Sequence, residues 1–449
     1  MLKLIDEKKY AQVRRELADM NVVDIAEFIT EELEEDSRIV VVFRLLPKEK
    51  AADVFSYLDH DVQQEIVEGI SDRELALIVD DLYLDDTVDF LEELPANLVK
   101  RVLKAADSET RKQINQLLMY PEDSAGSIMT TEFMELDGDW TVSRAISEVR
   151  RQSEDKETIS TLFVTDGKRK LEGVISLRDV LVGKDDDLIM DLMENDVISV
   201  RTDEDQEVVA QTLAKYDLVA IPVTDKEGRL VGIVTVDDAI DVLQEEVTED
   251  IEKMAAILPS EEPYLKTSVF DTWKARIPWL LLLMVSATFT GMIITGFEDA
   301  LAAQVALSAF IPMLMDSGGN SGSQASVTII RGISLDEIEF RDIFTVLWKE
   351  FRVSILCGVT LSAVSFLKIL FVDGMLLGNS NITAMVALVV SSTLLFTVIC
   401  AKLVGAVLPM LAKKIGFDPA VMASPFITTI VDAISLLIYF QVARMVLHI

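Results

Sequence analysis

The stretch 311-IPMLMDSGGNSGSQASVTII-330 sets an aspartate, an asparagine, a glutamine, four serines and three glycines into otherwise apolar sequence. A packed soluble core would have to satisfy all of these polar groups, and lipid would satisfy none. The sequence on both sides decides which setting applies. Residues 277–297 form 21 uncharged positions between Arg276 and Glu298, enough for the roughly 20 residues of a membrane-spanning helix. Further spans can be drawn at about 300–330, 347–372, 382–411 and 419–446. The polar stretch therefore falls inside one of five expected membrane helices.

Lys274, Arg276, Arg331, Arg341, Lys349, Lys413 and Lys414 fall on one side of these spans, and Glu298, Asp299 and Asp373 on the other. The excess of cations on the inner side places the N-terminal half in the cytoplasm and the C-terminus outside, in a plasma (inner) membrane. The opening MLKLIDEKKY has no long apolar run of a signal peptide. Four ionisable residues fall well within these spans: Asp316, Lys368, Lys402 and Asp432. The lysines have stems long enough to snorkel. A short carboxylate does not, and at bilayer depth it costs about 2.5–3.5 kcal/mol even on the lenient insertion scale. Asp432, in 424-SPFITTIVDAISLLIYF-440, thus joins Asp316 as a group expected to line water.

Gly318, Gly319 and Gly322 allow helices to approach closely, or allow one helix to break. Asn320, Ser321, Ser323 and Gln324 add neutral oxygens to the two carboxylates. A set of hard oxygens without sulfur or imidazole suits Mg²⁺, Ca²⁺ or Mn²⁺. Plain glycine-mediated packing with buried serine hydrogen bonds accounts for the glycines but not for Asp432. The reading is a cation pore. Only two cysteines, Cys357 and Cys400, and two histidines, His60 and His448, are present. No zinc spacing, disulfide framework or H-E-x-x-H helix can be built from them, so a membrane metalloprotease is excluded and no enzyme activity is expected.

Charge divides the chain. From Asp271 onward there are 12 acidic and 11 basic residues, and before it 64 acidic and 30 basic, a net −34. Nucleic acid is not an expected partner for such a field; divalent cations or a basic protein surface are. Residues 1–127 read as an all-α superhelix of short amphipathic helices punctuated by Pro47, Ser71-Asp72, Pro95 and Asp107-Ser108. After them comes a tandem repeat. The segment 163-FVTDGKRKLEGVISLRDVL-181 matches 222-PVTDKEGRLVGIVTVDDAIDVL-243, and 128-IMTTEFMELDGDWTVSRAISEV-149 matches 192-LMENDVISVRTDEDQEVVAQTL-213. Each copy is expected to be β-α-β-β-α, over 128–190 and 191–243. The pair resembles tandem cystathionine-β-synthase (CBS) domains, an α/β regulatory module. The resemblance implies that Ser176 and Asp179, and Thr235 and Asp238, bind adenine nucleotide, with ATP as a modulator. Helix N-caps with acids in the first turn explain the same residues without a ligand. A charged linking helix, 244-QEEVTEDIEKMAAIL-258, with its tail to 270, then leads to the membrane domain at 271–449.

This order of helical acidic domain, CBS pair, linking helix and five-helix transmembrane domain resembles the MgtE family of magnesium channels or transporters over essentially the whole chain. The signatures stand as 312-PMLMDSGGNSGSQAS-326 and 405-GAVLPMLAKKIGFDPAVMASPFITTIVDAISLLIYFQVAR-444. The resemblance implies a multidomain membrane protein, a homodimer with its pore on the dimer axis, and Asp432 as the selectivity residue. The lining is expected to include Gly319, Asn320, Gln324, Asp316, Ser424 and Pro425. Asp316 stands where some relatives have glycine, and Ser424 where others have asparagine. Cytoplasmic Mg²⁺ is expected to close the pore by bridging acids: Asp53, Asp85 and Asp89 in the helical domain, Asp217, Asp225 and Asp238 in the second CBS domain, and Glu245, Glu246, Glu249 and Asp250 in the linker. Alternatives are a non-conducting Mg²⁺ or nucleotide sensor, a channel for Mn²⁺ or Co²⁺, and an ion-coupled carrier in place of a channel.

Overall fold

A computed structural model describes residues 1–33, 36–260, 264–265, 267–378, 382–422 and 424–448. They form two compact units, 1–244 and 245–449. The first unit begins with short helices, among them Val22–Glu32, Lys48–Ser56, His60–Gly69, Asp72–Asp81, Leu84–Glu92 and Ala96–Ala105. Their starts follow from the sequence. Pro47 and Pro95 stand at N-cap positions, and Ser71 forms a capping box. Ser71 Oγ accepts the Glu74 N–H at 3.3 Å, and the Glu74 carboxylate accepts the Ser71 N–H at 2.8 Å. Arg44 pairs with Glu74 at 2.9 Å and, with those capping bonds, holds its carboxyl down at about 2. The apolar faces meet around Phe55, whose ring lies edge-on to Phe90 at 5.0 Å. The same cluster runs on into Leu213, Ile221 and Val234 of the second repeat, so the helical domain and that repeat share one core.

The repeats have identical topology. Strands β1 (Phe133–Asp137), β2 (Thr158–Thr165) and β3 (Leu171–Ser176) form one sheet in that order. Strands β4 (Val200–Arg201), β5 (Ala220–Thr224) and β6 (Leu230–Thr235) form the other. The first pairing is parallel and the second antiparallel in both, and β2 and β5 carry the same register shift, after Val164 and after Val223. The repeats also cross over. Met129, ahead of β1, lies against Gly232 of β6, and Met193, ahead of β4, lies against Gly173 of β3. Backbone bridges Thr130–Ile233 and Val174–Glu194 seal the two exchanges. A Cβ at Gly232 would sit 2.5 Å from the Met129 sulfur, so the glycine in each Leu-x-Gly is what admits the other repeat's segment.

The expected linking helix does not start afresh at Gln244. It continues the last repeat helix as one element, Val236–Met254, because nothing between Leu243 and Gln244 breaks the helical pattern. The second unit contains, among the described residues, five long helices: Val269–Gly296, Ile311–Ser334, Ile343–Lys368, Ala384–Lys414 and Ser424–Leu447. Four are long and apolar enough to cross a membrane; the polar Ile311–Ser334 helix falls short on composition alone. It also starts later than expected, after the short helix Glu298–Ala303 and a 3₁₀ segment at Val305–Phe310. The glycine-rich stretch is an unbroken helix, so its glycines serve close approach. The third helix continues as a π-helical turn, Ile369–Leu376.

Candidate functional site

The polar strip follows from how glycines seat the helices. A Cβ at Gly319 would lie 2.9 Å from the Thr428 methyl, and one at Gly322 would lie 2.8 Å from Ile427 and 3.2 Å from the Ala401 carbonyl. Gly318 faces Val431 and Ser435, and Gly405 abuts the Gly322 carbonyl. Any side chain at these positions would force the bundle apart. With that face spent on packing, Asp316, Asn320 and Gln324 come out exposed, four residues apart, in one row along the helix. Asn320 Nδ2 donates to Asp316 Oδ1 at 3.1 Å, which steadies the carboxylate. Asp432, half-buried on the facing helix, lies close enough for its charge and that of Asp316 to repel. Thr428 and Thr429 donate to the Pro425 carbonyl at 2.9 and 3.1 Å. Ser424 opens this helix, but its side chain lies outside the described residues.

The other intramembrane charges behave differently. Lys368 does not snorkel freely: it pairs with Asp373 at 2.7 Å. Lys402 is 5% exposed, and Glu350, which the sequence reading passed over, is 8% exposed. Gly358 against Leu395, and Ser362 donating to the Ser391 carbonyl at 2.7 Å, set an antiparallel register between their helices. That register puts residue 402 opposite residues 350–351, so both charges belong to one helix interface away from the polar row.

In the first unit a seam of carboxylates joins the helical domain to the repeats. Asp85 and Asp86 open the Leu84–Glu92 helix, whose Leu84 N–H donates to Glu132 at 3.0 Å. Asp85 Oδ1 and Glu157 Oε2 are buried without a hydrogen-bond partner. Burial, reinforced by repulsion from Asp238, pushes Asp86 up to about 7 and Glu157 up to about 8. Burial likewise lifts Asp238 to about 6, and it holds Asp85 well above the usual carboxylate range. Asp89 is raised by burial against an opposing pull from His60, and the exposed Asp53 adds to the field on Asp86. Among the described residues, no three acids converge tightly enough to wrap one bare ion. The acids are strung along a seam rather than gathered into a cage. Asp217 and Asp225 stand in local turns. Asp217 ends a helix in the left-handed conformation, φ 52°, and Asp225 accepts the Glu227 and Arg229 N–H groups at 2.9 Å in the β5–β6 turn. Sequence reading missed Asp86, Asp237 and Glu157; Asp86 and Asp237 adjoin acids it did choose, while Glu157 lies in a loop more than 70 residues from Asp85.

The two Ser/Thr-x-x-Asp motifs share a local geometry. Ser176 Oγ donates to Asp179 and Thr235 Oγ1 to Asp238, each at 2.5 Å. In the second unit, Lys253 on the linking helix bridges Glu249 at 2.5 Å and Asp418 at 2.8 Å. Asp250 accepts a hydrogen bond from Ser334 Oγ at 3.2 Å, and burial with the nearby Asp418 raises its carboxyl. The linking helix is thus fastened to the ends of the membrane helices by an ammonium, and Glu249 is already engaged. Glu245 and Glu246 lie one to two turns earlier on it.

Comparison with known proteins agrees with this layout. The family profile described as MgtE, divalent cation transporter, matches residues 311–442. The MgtE intracellular N domain matches 20–123, and CBS domains match 125–183 and 189–245. The magnesium transporter MgtE of Thermus thermophilus is 39% identical over 93% of this chain and 91% of its own length. That of Bacillus subtilis is 34% identical over 99% and 96%. The cytosolic domain of an Mg²⁺ channel MgtE, solved in complex with ATP, is 38% identical and covers 54% of this chain and 98% of its own, with a TM-score of 0.51. With both ends of the chain and its polar membrane segment matched, the protein belongs to the MgtE family.

Proposed function

We propose that this chain carries Mg²⁺ across the membrane as a channel, with Asp432 at the centre of the path and Asp316, Asn320 and Gln324 along it. One observation carries the reading: a row of polar side chains stands exposed on a helix whose neighbours are built for lipid. Such a row needs water or protein in front of it. A second copy related by a two-fold axis supplies that cover, with two Asp432 carboxylates facing each other across the path. Mg²⁺ gives up water reluctantly and suits one or two carboxylates acting through retained waters. Partial hydration also explains why neutral amides and hydroxyls suffice for the rest of the lining.

Closure by cytoplasmic Mg²⁺ is the regulatory half of the proposal. Carboxylates held together with raised proton affinity repel when ionised, and a divalent ion between them removes that penalty. Asp85, Asp86, Glu157 and Asp238 are the core of this response, with Asp53, Asp89 and Asp237 around them. Lys253 is then a built-in counterion at the lower end of the linking helix. Reversing it to Glu should raise flux at low internal Mg²⁺, and pairing that change with Asp418→Lys should restore the wild-type level.

The test is Mg²⁺ uptake into proteoliposomes at low internal Mg²⁺, wild type beside Asp432→Ala. Wild-type uptake that falls at least about tenfold in the variant, the loss of a roughly 1.4 kcal/mol interaction, supports the path. Equal uptake in both removes Asp432 from it. No uptake by folded wild type replaces the channel with a sensor. Mn²⁺ and Co²⁺ in the same assay rank the alternatives among divalent ions.

A further inference from the structure

At one end of the membrane bundle, where the Ile311–Ser334 and Ala384–Lys414 helices finish, lies a cavity of about 210 Å³. Its walls are Ile333, Ile338, Phe340 and Met410; its rim is Lys413, Lys414 and Glu339. The backbone turn that builds it depends on Gly332, whose carbonyl accepts the N–H groups of both Glu337 and Ile338 at 2.9 Å. A Cβ there would lie 2.5 Å from Ile338, so only glycine lets that side chain fold back as a wall.

The rim charges are unevenly cancelled. Lys414 lies over the Phe340 ring, 3.9 Å from its centroid, and a ring leaves the ammonium's net charge in place. Lys413 donates to the Ile333 carbonyl at 3.4 Å and stands 3.8 Å from Asp336, an exposed pair that contributes about 0–1 kcal/mol. The Glu339 carboxylate is engaged by Arg341 at 2.9 Å, and its N–H by Asp342 at 3.0 Å. Glu337 is exposed on the same turn but does not line the cavity. Two ammonium groups therefore stand at the mouth of an apolar pocket whose one carboxylate is already paired.

An apolar wall below and cations above, at the level where a membrane helix bundle ends, match the two ends of a phospholipid. The cavity is smaller than the roughly 300–1,000 Å³ of enclosed ligand pockets, which fits an acyl segment whose remainder runs on into the bilayer. Basic pockets between membrane helices bind anionic headgroups. We propose that this cavity is a site for one anionic phospholipid, its phosphate between Lys413 and Lys414 and an acyl chain against Ile338, Phe340 and Met410. Occupancy has a route to the rest of the unit. The same turn carries Ser334, whose hydroxyl donates to Asp250 of the linking helix. A lipid that stiffens the turn stiffens the seat of that helix.

The inference does not depend on which ion is carried, and its test does not read ion flux. Full-length protein is reconstituted in nanodiscs of phosphatidylcholine with a minor share of phosphatidylglycerol, recovered in detergent, and its retained lipid is measured by native mass spectrometry. Wild type should retain phosphatidylglycerol above its share of the disc. Lys413→Gln with Lys414→Gln should lower that retention about fivefold for each lysine lost, from about 1 kcal/mol per cation near anionic lipid. Ile338→Trp, which fills the cavity and spares the lysines, should lose it as well. A photoactivatable phosphatidylglycerol on unaltered protein should label residues 333–340 and 410–414, which needs no variant to fold. Retention unchanged in both variants, equal retention of phosphatidylcholine by wild type, or label confined to other segments would each overturn the site.

Discussion

Asp179 and Asp238 occupy the same place in the two repeats, at the same distance from the same kind of hydroxyl, and live in opposite surroundings. Asp179 is exposed, on a short helix whose next residue outward is Arg178. Asp238 is half-buried, raised to about 6, and faces Asp85, Asp86, Asp237 and Glu157. The sequence motif is one; its surroundings are two. Phosphate groups approaching Asp238 would meet a wall of carboxylates, whereas a cation would be welcome there. Packing of the helical domain against the repeats surrounds one of two equivalent aspartates with carboxylates and leaves the other exposed.

The comparison can be broken most forcefully with Mg²⁺. Neutralising Glu157 and Asp238 together, as Glu157→Gln with Asp238→Asn, should raise the internal Mg²⁺ needed to halve flux by more than about tenfold, the loss of a coupling of 1.4 kcal/mol or more. Asp179→Asn should leave it within about twofold, inside ordinary surface effects. A comparable shift from Asp179→Asn would mean that the repeats are not specialised.

Nucleotide binding should give the mirror image at a smaller scale. By titration calorimetry on the full-length protein with Mg²⁺ chelated, Asp179→Asn should weaken ATP about tenfold, one hydrogen bond to a charged group at roughly 1.5 kcal/mol. Asp238→Asn should leave ATP affinity unchanged or raise it. Equal losses from both would restore symmetry to the pair.

Spread over the whole unit, the last of these effects is a pH response. Asp238, Asp86 and Glu157 titrate at about 6, 7 and 8 in the folded chain, above the roughly 4 of an unfolded carboxyl. Their contribution to stability is therefore complete below about pH 4 and is lost as pH climbs through those folded values. Without Mg²⁺, Tm should fall by about 5 °C between pH 5.5 and 8.5, a couple of kcal/mol spread over a unit of this size. Glu157→Gln should flatten the slope, Asp179→Asn should not, and added Mg²⁺ at pH 8.5 should recover the loss.

Much of this was legible in the residues, and what was not has physical reasons. The Leu-x-Gly pattern announced two copies of one fold because the glycine is required at a crossing, and a required residue repeats. The polar row was legible because carboxylates and amides are costly in lipid wherever they fall. Glu157 was invisible, since an acid in a loop signals nothing until folding sets it against Asp86. The continuity of Val236–Met254 was missed for the converse reason: a join without proline or glycine leaves no mark. Glu350 was passed over because it lies near the end of its span, where a charge carries no signal, and it proves 8% exposed.

The exchange of Met129 and Met193 between repeats has a consequence for how this protein can change. Each sheet is finished by a piece of chain belonging to its neighbour, as in a dovetail joint. Replacing one repeat with that of a relative would alter the tongue in one half and the groove in the other, so the pair must be inherited and engineered as one part. Asp238 comes to stand among carboxylates without a new domain, because the joint preserves both frames while a single face takes on a different neighbour.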